Sequence, residues 1–537
     1  MKYMMNSKKF KRTLWILVAI IAAGIGVSKF NQTQLYSSDS IRDQLVRFNE
    51  VFAYINQYYV EKPDNEELIT GAIEGMLGGL DPHSVYIPKK AVEQVNEQFE
   101  GSFEGIGIEF VVLEKILTVV APIVGGPSEA VGILPGDQII KIEGKSAYGI
   151  TEDEVQKKLR GPKGSKVQVT IRRPEQDNAE FEVTIVRDEI PIYSVTASFM
   201  MDDGETGYIY LGRFAKKTSE ELEQAMVDLE KQGMKRMILD LRGNSGGYLD
   251  QAVEVSDKFL PGGQKIVYTR GRVSNSGSDF YSTDKGTHPI YPLIVMIDHG
   301  SASASEIVAG AIQDLDRGLV VGQTSFGKGL VQNQIPLRDG SALRLTIARY
   351  YTPSGRLIQR PYDDGIIDYY TEAYDDSSIT SKVDSSKQYN TLSGRVVYGG
   401  GGITPDITLE AEKITRFTYQ LRTKRVFFEY GSKYANTYKK WKKDFQGYKN
   451  NFEITQPMLN DLKEIIQKHD VKINQEAFNK DLDYIKLSMK SEMARHIWDS
   501  EHYYMIRIMA DSEVIKACEH FPKAKEIAML NKWETRL

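Results

Sequence analysis

The stretch from Leu293 to Pro336 constrains this chain more than any other. An apolar run, Leu293–Ile297, leads into GSASASE at residues 300–306 and then into a second apolar run, Ile307–Ile312. Strand-like Leu319–Val321 follows. Next come TSFGKG, with Lys328 between two glycines, and Leu330–Pro336, which has the pattern of another strand. Strand, turn, helix and strand in that order form a unit of an α/β core. A turn of small residues at a helix start presents a serine hydroxyl beside unpaired backbone N–H groups, an arrangement that acyl transfer needs. A lysine sheltered from water can lose its proton and act as the base for that serine. The chemistry implied is that of a Ser-Lys hydrolase.

Other readings of the same residues must be weighed. Small Ser/Ala runs also occur as close-packed turns with no chemistry. Gly322–Lys328 reads GQTSFGK and satisfies G-x-x-x-x-G-K, but a P-loop places Ser or Thr after the lysine and then a helix. Here Gly329 and a strand pattern follow. His299, four residues before Ser303, is a third candidate base, but nothing in the sequence marks a carboxylate to orient it.

The motifs together resemble the carboxy-terminal processing proteases, also called tail-specific proteases, over roughly Asp81 to Asp406. The resemblance implies that Ser303 is the nucleophile, Lys328 the general base, and Gln332 the residue that orients the lysine. It also implies an oxyanion hole formed by the N–H groups of Ala304 and of Gly247, the latter in the turn DLRGNSGG (Asp240–Gly247). Asp240 and Arg242 read as a structural pair shaping that turn. Gly101–Asp188 resembles a PDZ domain. GIGIEF at Gly105–Phe110 matches the carboxylate-binding loop, with Gly105, Ile106, Gly107 and Ile108 as peptide-binding positions, and Glu152–Leu159 matches the helix that closes the groove. A substrate tail would add a strand at the sheet edge, with its terminal carboxylate in the loop. Arg160, in LRGPKG, is a candidate for coupling peptide binding to the core, although a solvated turn arginine fits the same residues. His83, in LDPHSVYIP (Leu80–Pro88), reads as a loop-packing residue.

The fold expected is multidomain α+β. Its parts are a helical N-terminal region (38–100), a PDZ-like β-rich module (101–188), an α/β protease core of the tail-specific protease/crotonase-like ββα type (191–409), and a helical C-terminal extension (410–537). Residues 1–30 carry Lys2, Lys8, Lys9, Lys11 and Arg12 ahead of an apolar run from Leu14 to Val27. That is the export pattern, which implies a signal peptide or membrane anchor and a body on the periplasmic side of the cytoplasmic membrane in the cell envelope. Ile41, Leu45, Phe48, Phe52, Ile55 and Tyr59 have amphipathic helical spacing. Asp363–Asn390 is acidic and polar and reads as a surface insertion. For the extension, capping the protease, dimerising it and docking an adaptor all remain open.

A formal charge of −5 gives no electrostatic case for nucleic acid. Seven scattered histidines and one cysteine, Cys518, offer no metal-binding spacing and no disulfide framework. No cofactor is implied. The partners implied are unstructured C-terminal tails of envelope or secreted proteins, an activator or adaptor, the membrane through the N-terminal segment, and a second copy of the chain. The expected activity is that of a serine endopeptidase working through an acyl-enzyme. The rival is a membrane-tethered PDZ adaptor with an inactive core, against which the intact Ser303, Lys328 and Gln332 set speaks.

Overall fold

A computed structural model describes residues 40–371, apart from 124, 175–176, 275, 287 and 364, and residues 387–530. The expected export segment lies outside the described residues, as does most of the 363–390 insertion. Among the described residues, no helix is long and apolar enough to cross a membrane. The chain divides into two compact units, Met1–Leu80 and Asp81–Leu537. The first holds a helix at 40–58 and a second at Asn65–Gly78. The second of these is capped by the Asp64 carboxylate, which accepts from the N–H groups of Glu66 and Glu67 at 2.9 and 3.1 Å.

The second unit is built on a six-stranded sheet. Its order is Val195–Met200, Thr206–Leu211, Arg236–Asp240, Leu293–Ile297, Leu319–Gly322 and Ile407–Thr408. The first pair is antiparallel and the others are parallel. Every residue of Leu293–Ile297 is buried, because a parallel strand at the centre is covered on both faces. Alternation sorts the side chains. Leu239, Leu293, Val295 and Ile297 point to one face, where Leu222, Val255 and Val308 of the helices Thr218–Lys231, Leu249–Asp257 and Ala304–Asp314 cover them. Ile238, Ile294 and Met296 point to the other face, against Val514, Phe521, Ala524 and Ile527 of the last two helices, Ser512–Glu519 and Phe521–Leu530. The C-terminal extension therefore caps the sheet. Its earlier helices, from Arg416 to Met509, surround a core of their own that includes Tyr430, Leu462, Ile485 and Met489.

A second sheet brings Leu330–Pro336 antiparallel to Ala342–Tyr351, and Val85–Ile87 also pairs with Ala342–Tyr351. The PDZ module is an antiparallel sheet in the order Ile108–Leu113, Ile116–Pro122, Gln138–Ile142, Lys166–Arg173 and Ala179–Val186. The chain enters and leaves it through one antiparallel pair, Ser102–Gly105 with Asp188–Pro191. Its groove helix, Glu152–Leu159, starts at a Thr151–Glu154 capping box.

The helix Lys89–Glu100 lies in the second of the two units. The insertion is more than surface. Its described part contains the short helix Ile366–Thr371, whose Tyr369 is 2 % exposed because it packs among Phe326, Ala302 and Tyr362.

The helix that begins at Ala304 ends on a fully buried ion pair, in which Arg356 Nη2 donates to Asp314 Oδ1 at 2.7 Å. Arg356 also donates to Gln313 Oε1 and to the carbonyl oxygen of Tyr398, and Asp314 Oδ2 accepts from Ser354 N. Removing one member leaves an uncompensated buried charge. Arg356→Met should lower the stability to chemical denaturation by about 3–5 kcal/mol.

Candidate active site

Ser303 caps the helix Ala304–Asp314 with φ +56° and ψ −111°, in the left-handed half of backbone space that a residue with a Cβ rarely occupies. Such a conformation costs on the order of 1–3 kcal/mol and persists only where its surroundings enforce it. The Glu306 carboxylate supplies the enforcement. Its Oε2 accepts from Ser303 N at 2.8 Å, and Tyr350 Oη donates to Ser303 O at 3.1 Å.

Glu306 also reaches the second segment. Oε2 accepts from Lys328 N at 2.9 Å, while Oε1 accepts from Gly327 N at 2.7 Å and from Ser325 Oγ at 2.6 Å. One oxygen atom therefore sits between the main chains of Ser303 and Lys328. Glu306 has no exposed surface. Burial pushes its carboxyl up, and the four donors pull it down. All of its neighbours present protons, so the ionised form is the one the pocket accepts.

The glycine turn is stitched to the same place. Ala302 N donates to Asn244 O at 3.0 Å, Ser305 Oγ donates to the same oxygen at 2.8 Å, and Ser301 Oγ donates to Leu241 O at 2.8 Å. Asp298 Oδ1 accepts from both Gly243 N and Gly300 N. At Gly246, φ is +99°, and a Cβ would fall 2.8 Å from Ser303 Cβ and 2.9 Å from Ala304 N, so only glycine fits against the serine. Gly247 lies against Phe214, where a Cβ would meet the carbonyl oxygen at 1.9 Å. The N–H groups of Ala304 and Gly247 have no hydrogen-bond partner among the described residues. Asp240 and Arg242 pair at 2.7 Å, and Arg242 also binds Asp511 and Glu513 of the C-terminal extension.

Lys328 Nζ donates to Gln332 Oε1 at 2.9 Å. Burial lowers the lysine pKa to about 8, helped by the positive charge of Arg344 and opposed by Glu306 and Asp81. The structure brings Lys328 and Gln332 into direct contact and places Ser303 and Lys328 on either side of Glu306, while no hydrogen bond joins the serine hydroxyl to the lysine amine. His299 Nδ1 donates to Thr324 O at 2.7 Å. Glu306 escaped the sequence reading even though Ser303-x-x-Glu306 has capping-box spacing.

In the PDZ module, Ile106 is buried and its carbonyl accepts from both Ser128 N (3.1 Å) and Ser128 Oγ (2.6 Å). Gly105 ends the entry strand and Ile108 begins the edge strand. Gly107, at φ +71°, faces Ile190, where a Cβ would fall 2.9 Å from Cδ1. Arg160 is no free turn residue. It pairs with Glu97 on the helix Lys89–Glu100 and lies over the Phe103 ring at 4.7 Å. Phe99, on the same helix, packs against Tyr248, the neighbour of Gly247, at 5.1 Å between ring centroids. Among the described residues, no cluster of His, Cys, Asp and Glu is arranged to hold a metal ion.

The family model of peptidase family S41 matches residues 205–370, and that of the PDZ domain matches 118–173. The activating protease CtpB N-terminal domain matches 22–91, and a family of unknown function matches 417–499. The chain is 40% identical over 354 residues to a carboxy-terminal-processing protease of Bartonella bacilliformis, across 65% of this chain and 79% of the relative. It is 37% identical over 349 residues to the carboxy-terminal processing protease CtpB of Bacillus subtilis, across 63% and 72%. Among solved structures, it is similar to a photosystem II D1 C-terminal processing protease at 26% identity and a TM-score of 0.35, across 67% and 86%.

Glu306→Gln would turn an amide nitrogen towards backbone donors. The expected outcome is a stability loss of about 1–3 kcal/mol, read by denaturant unfolding, together with a fall in peptide cleavage of at least about tenfold.

Proposed function

We propose, for a chain that belongs to peptidase family S41 and is a PDZ-containing carboxy-terminal processing protease, that Ser303 is the nucleophile and Lys328 the general base of peptide cleavage. The observation that carries this reading is the Glu306 oxygen shared by the two main chains, with the lysine amine in a pocket that favours its neutral form.

The steps follow from the groups present. Neutral Lys328 has a lone pair and two N–H bonds. One N–H bond donates to Gln332, and the lone pair takes the proton from Ser303 Oγ as that oxygen attacks the substrate carbonyl. The Ala304 and Gly247 N–H groups receive the oxyanion; one such donor is commonly worth about 100- to 1,000-fold in rate. The lysine then returns the proton to the departing amine. Water, deprotonated by the same lysine, hydrolyses the acyl-enzyme and releases Ser303.

Substrate selection is assigned to the PDZ edge strand Ile108–Leu113, where a C-terminal tail pairs with the main chain and its carboxylate meets the loop Gly105–Ile108. Arg160, Glu97 and the Phe99–Tyr248 contact would pass tail binding to the turn that carries Gly247. The basic flank and the Leu14–Val27 run support substrates in the cell envelope.

Incubation of the protein with an unstructured tail peptide, followed by mass spectrometry, tests the reading. Ser303→Ala and Lys328→Ala should each abolish cleavage without loss of fold. In the unaltered protein kcat/KM should climb about tenfold per pH unit on the acid side and level above about pH 8, because the active lysine is the deprotonated one. Full activity in either variant, or a flat profile with chemistry limiting, excludes the dyad.

A further inference from the structure

We propose that His83 and Tyr369 are positioning residues for the general base, acting through Gln332, so that the short helix Ile366–Thr371 is a working part of the active site. The inference rests on the Ser303–Lys328 reading above.

The starting point is Gln332. A side-chain amide holds an amine in one direction only if its other end is anchored. Oε1 accepts from Lys328 Nζ, and Nε2 donates to the main-chain carbonyl of His83. Turning the amide over would set acceptor against acceptor at residue 83 and, at the lysine, would either face an N–H bond or occupy the lone pair the base needs, so the two contacts fix its orientation together. The direction of the lysine lone pair thus depends on where the His83 carbonyl stands.

His83 is held in turn by its ring. His83 is 8 % exposed, and its ring contacts Phe326, Tyr369 and Tyr370 edge-on, with centroids 6.3, 5.4 and 6.2 Å away. Its Nε2 lies 2.9 Å from Tyr369 Oη. Gln359 Nε2 donates to that same hydroxyl at 3.2 Å, and in the proposal the tyrosine's own proton goes to His83 Nε2, with the imidazole neutral and its proton on Nδ1. The surroundings favour this form: burial, then the charge of Lys328, with Arg360 adding a smaller effect and Asp81 opposing, lower its pKa to about 3.

The tyrosine is fixed as well. Arg360 donates to Tyr369 O at 2.5 Å and lies over the Tyr369 and Phe326 rings at 4.4 and 4.8 Å. Tyr370 Oη donates to Pro82 O at 3.0 Å, so two consecutive tyrosines grip the loop that carries His83. From the other side, Thr346, the strand partner of Gln332, donates to Asp81 and Ser84. The circuit closes near its origin, because Gln359 Oε1 accepts from Gly329 N at 2.8 Å, one residue beyond Lys328. Packing alone would not need this run of directional bonds. Its effect is to hold the Gln332 amide, and with it the lysine amine, at one angle.

The experiment uses the full chain and the tail-peptide assay. Tyr369→Phe keeps the ring and removes the hydroxyl. It should lower kcat by about tenfold or more with KM within about twofold, because the residue acts on the base and not on the tail. On a Gln332→Ala background the same change should cost less than about a further twofold, since its route to Lys328 is already cut. An unchanged kcat in Tyr369→Phe, or its full loss repeated on the Gln332→Ala background, overturns the proposal. If Tyr369→Phe fails to fold, the His83 pair decides. His83→Gln keeps an acceptor for the tyrosine hydroxyl and should lose less activity than His83→Leu; equal losses overturn the proposal. Ser303→Ala run alongside separates the two claims. Cleavage by that variant removes the dyad itself, whereas an inactive Ser303→Ala beside a fully active Tyr369→Phe removes only the positioning role.

Discussion

A single buried carboxylate, that of Glu306, fixes the geometry on which the proposed chemistry depends. An ion without exposed surface is tolerated only when each of its acceptor positions is filled, and here two main-chain segments and one hydroxyl fill them. The same bonds that satisfy the charge also hold Ser303 in a backbone conformation it would otherwise leave. Residues 303 and 328 lie on different elements, and neither the helix nor the strand alone could set their spacing. The desolvation penalty of Glu306 and the strain at Ser303 are thus offset by one set of contacts.

Around this point the molecule is arranged in layers that restrict the site from several directions. The central sheet ends at the turns carrying Leu241–Gly247 and Asp298–Ser303, which are sewn together by Asn244 and Asp298. Behind the sheet, the last two described helices cover its second face, and Glu513 and the capping residue Asp511 of the first of them reach Arg242. One guanidinium serves three carboxylates there. Burial raises the pKa of Glu513 and the Arg242 charge opposes it, which couples the far end of the chain to the glycine turn. The role that the sequence left open for the extension is, in part, to hold this turn.

Much of this was legible in the residues, for identifiable reasons. Leu293–Ile297, Leu319–Gly322 and Leu330–Pro336 stand out because apolar runs bounded by glycine and polar turns have few alternatives as strands. Glu152–Leu159 was visible from the resemblance of its surroundings to a PDZ domain. Less was legible where the determinant is tertiary. Lys89–Glu100 has helical periodicity but nothing that says which unit it joins. Gln332 meets His83 through a main-chain carbonyl 249 residues away, a contact no side-chain pattern encodes. Tyr369 lies in an acidic, polar segment whose composition points to solvent, yet its ring is buried beside Phe326. Composition describes a segment's average and misses the one residue that turns inward.

The central claim, a serine activated by a buried lysine, is tested most directly by labelling with a fluorophosphonate, which reacts only with an activated hydroxyl. Peptide mapping of the adduct should place it on Ser303, at a rate that rises with pH through the region near 8 and vanishes in Lys328→Ala. An adduct on another residue, or undiminished labelling of Ser303 without Lys328, would contradict the account.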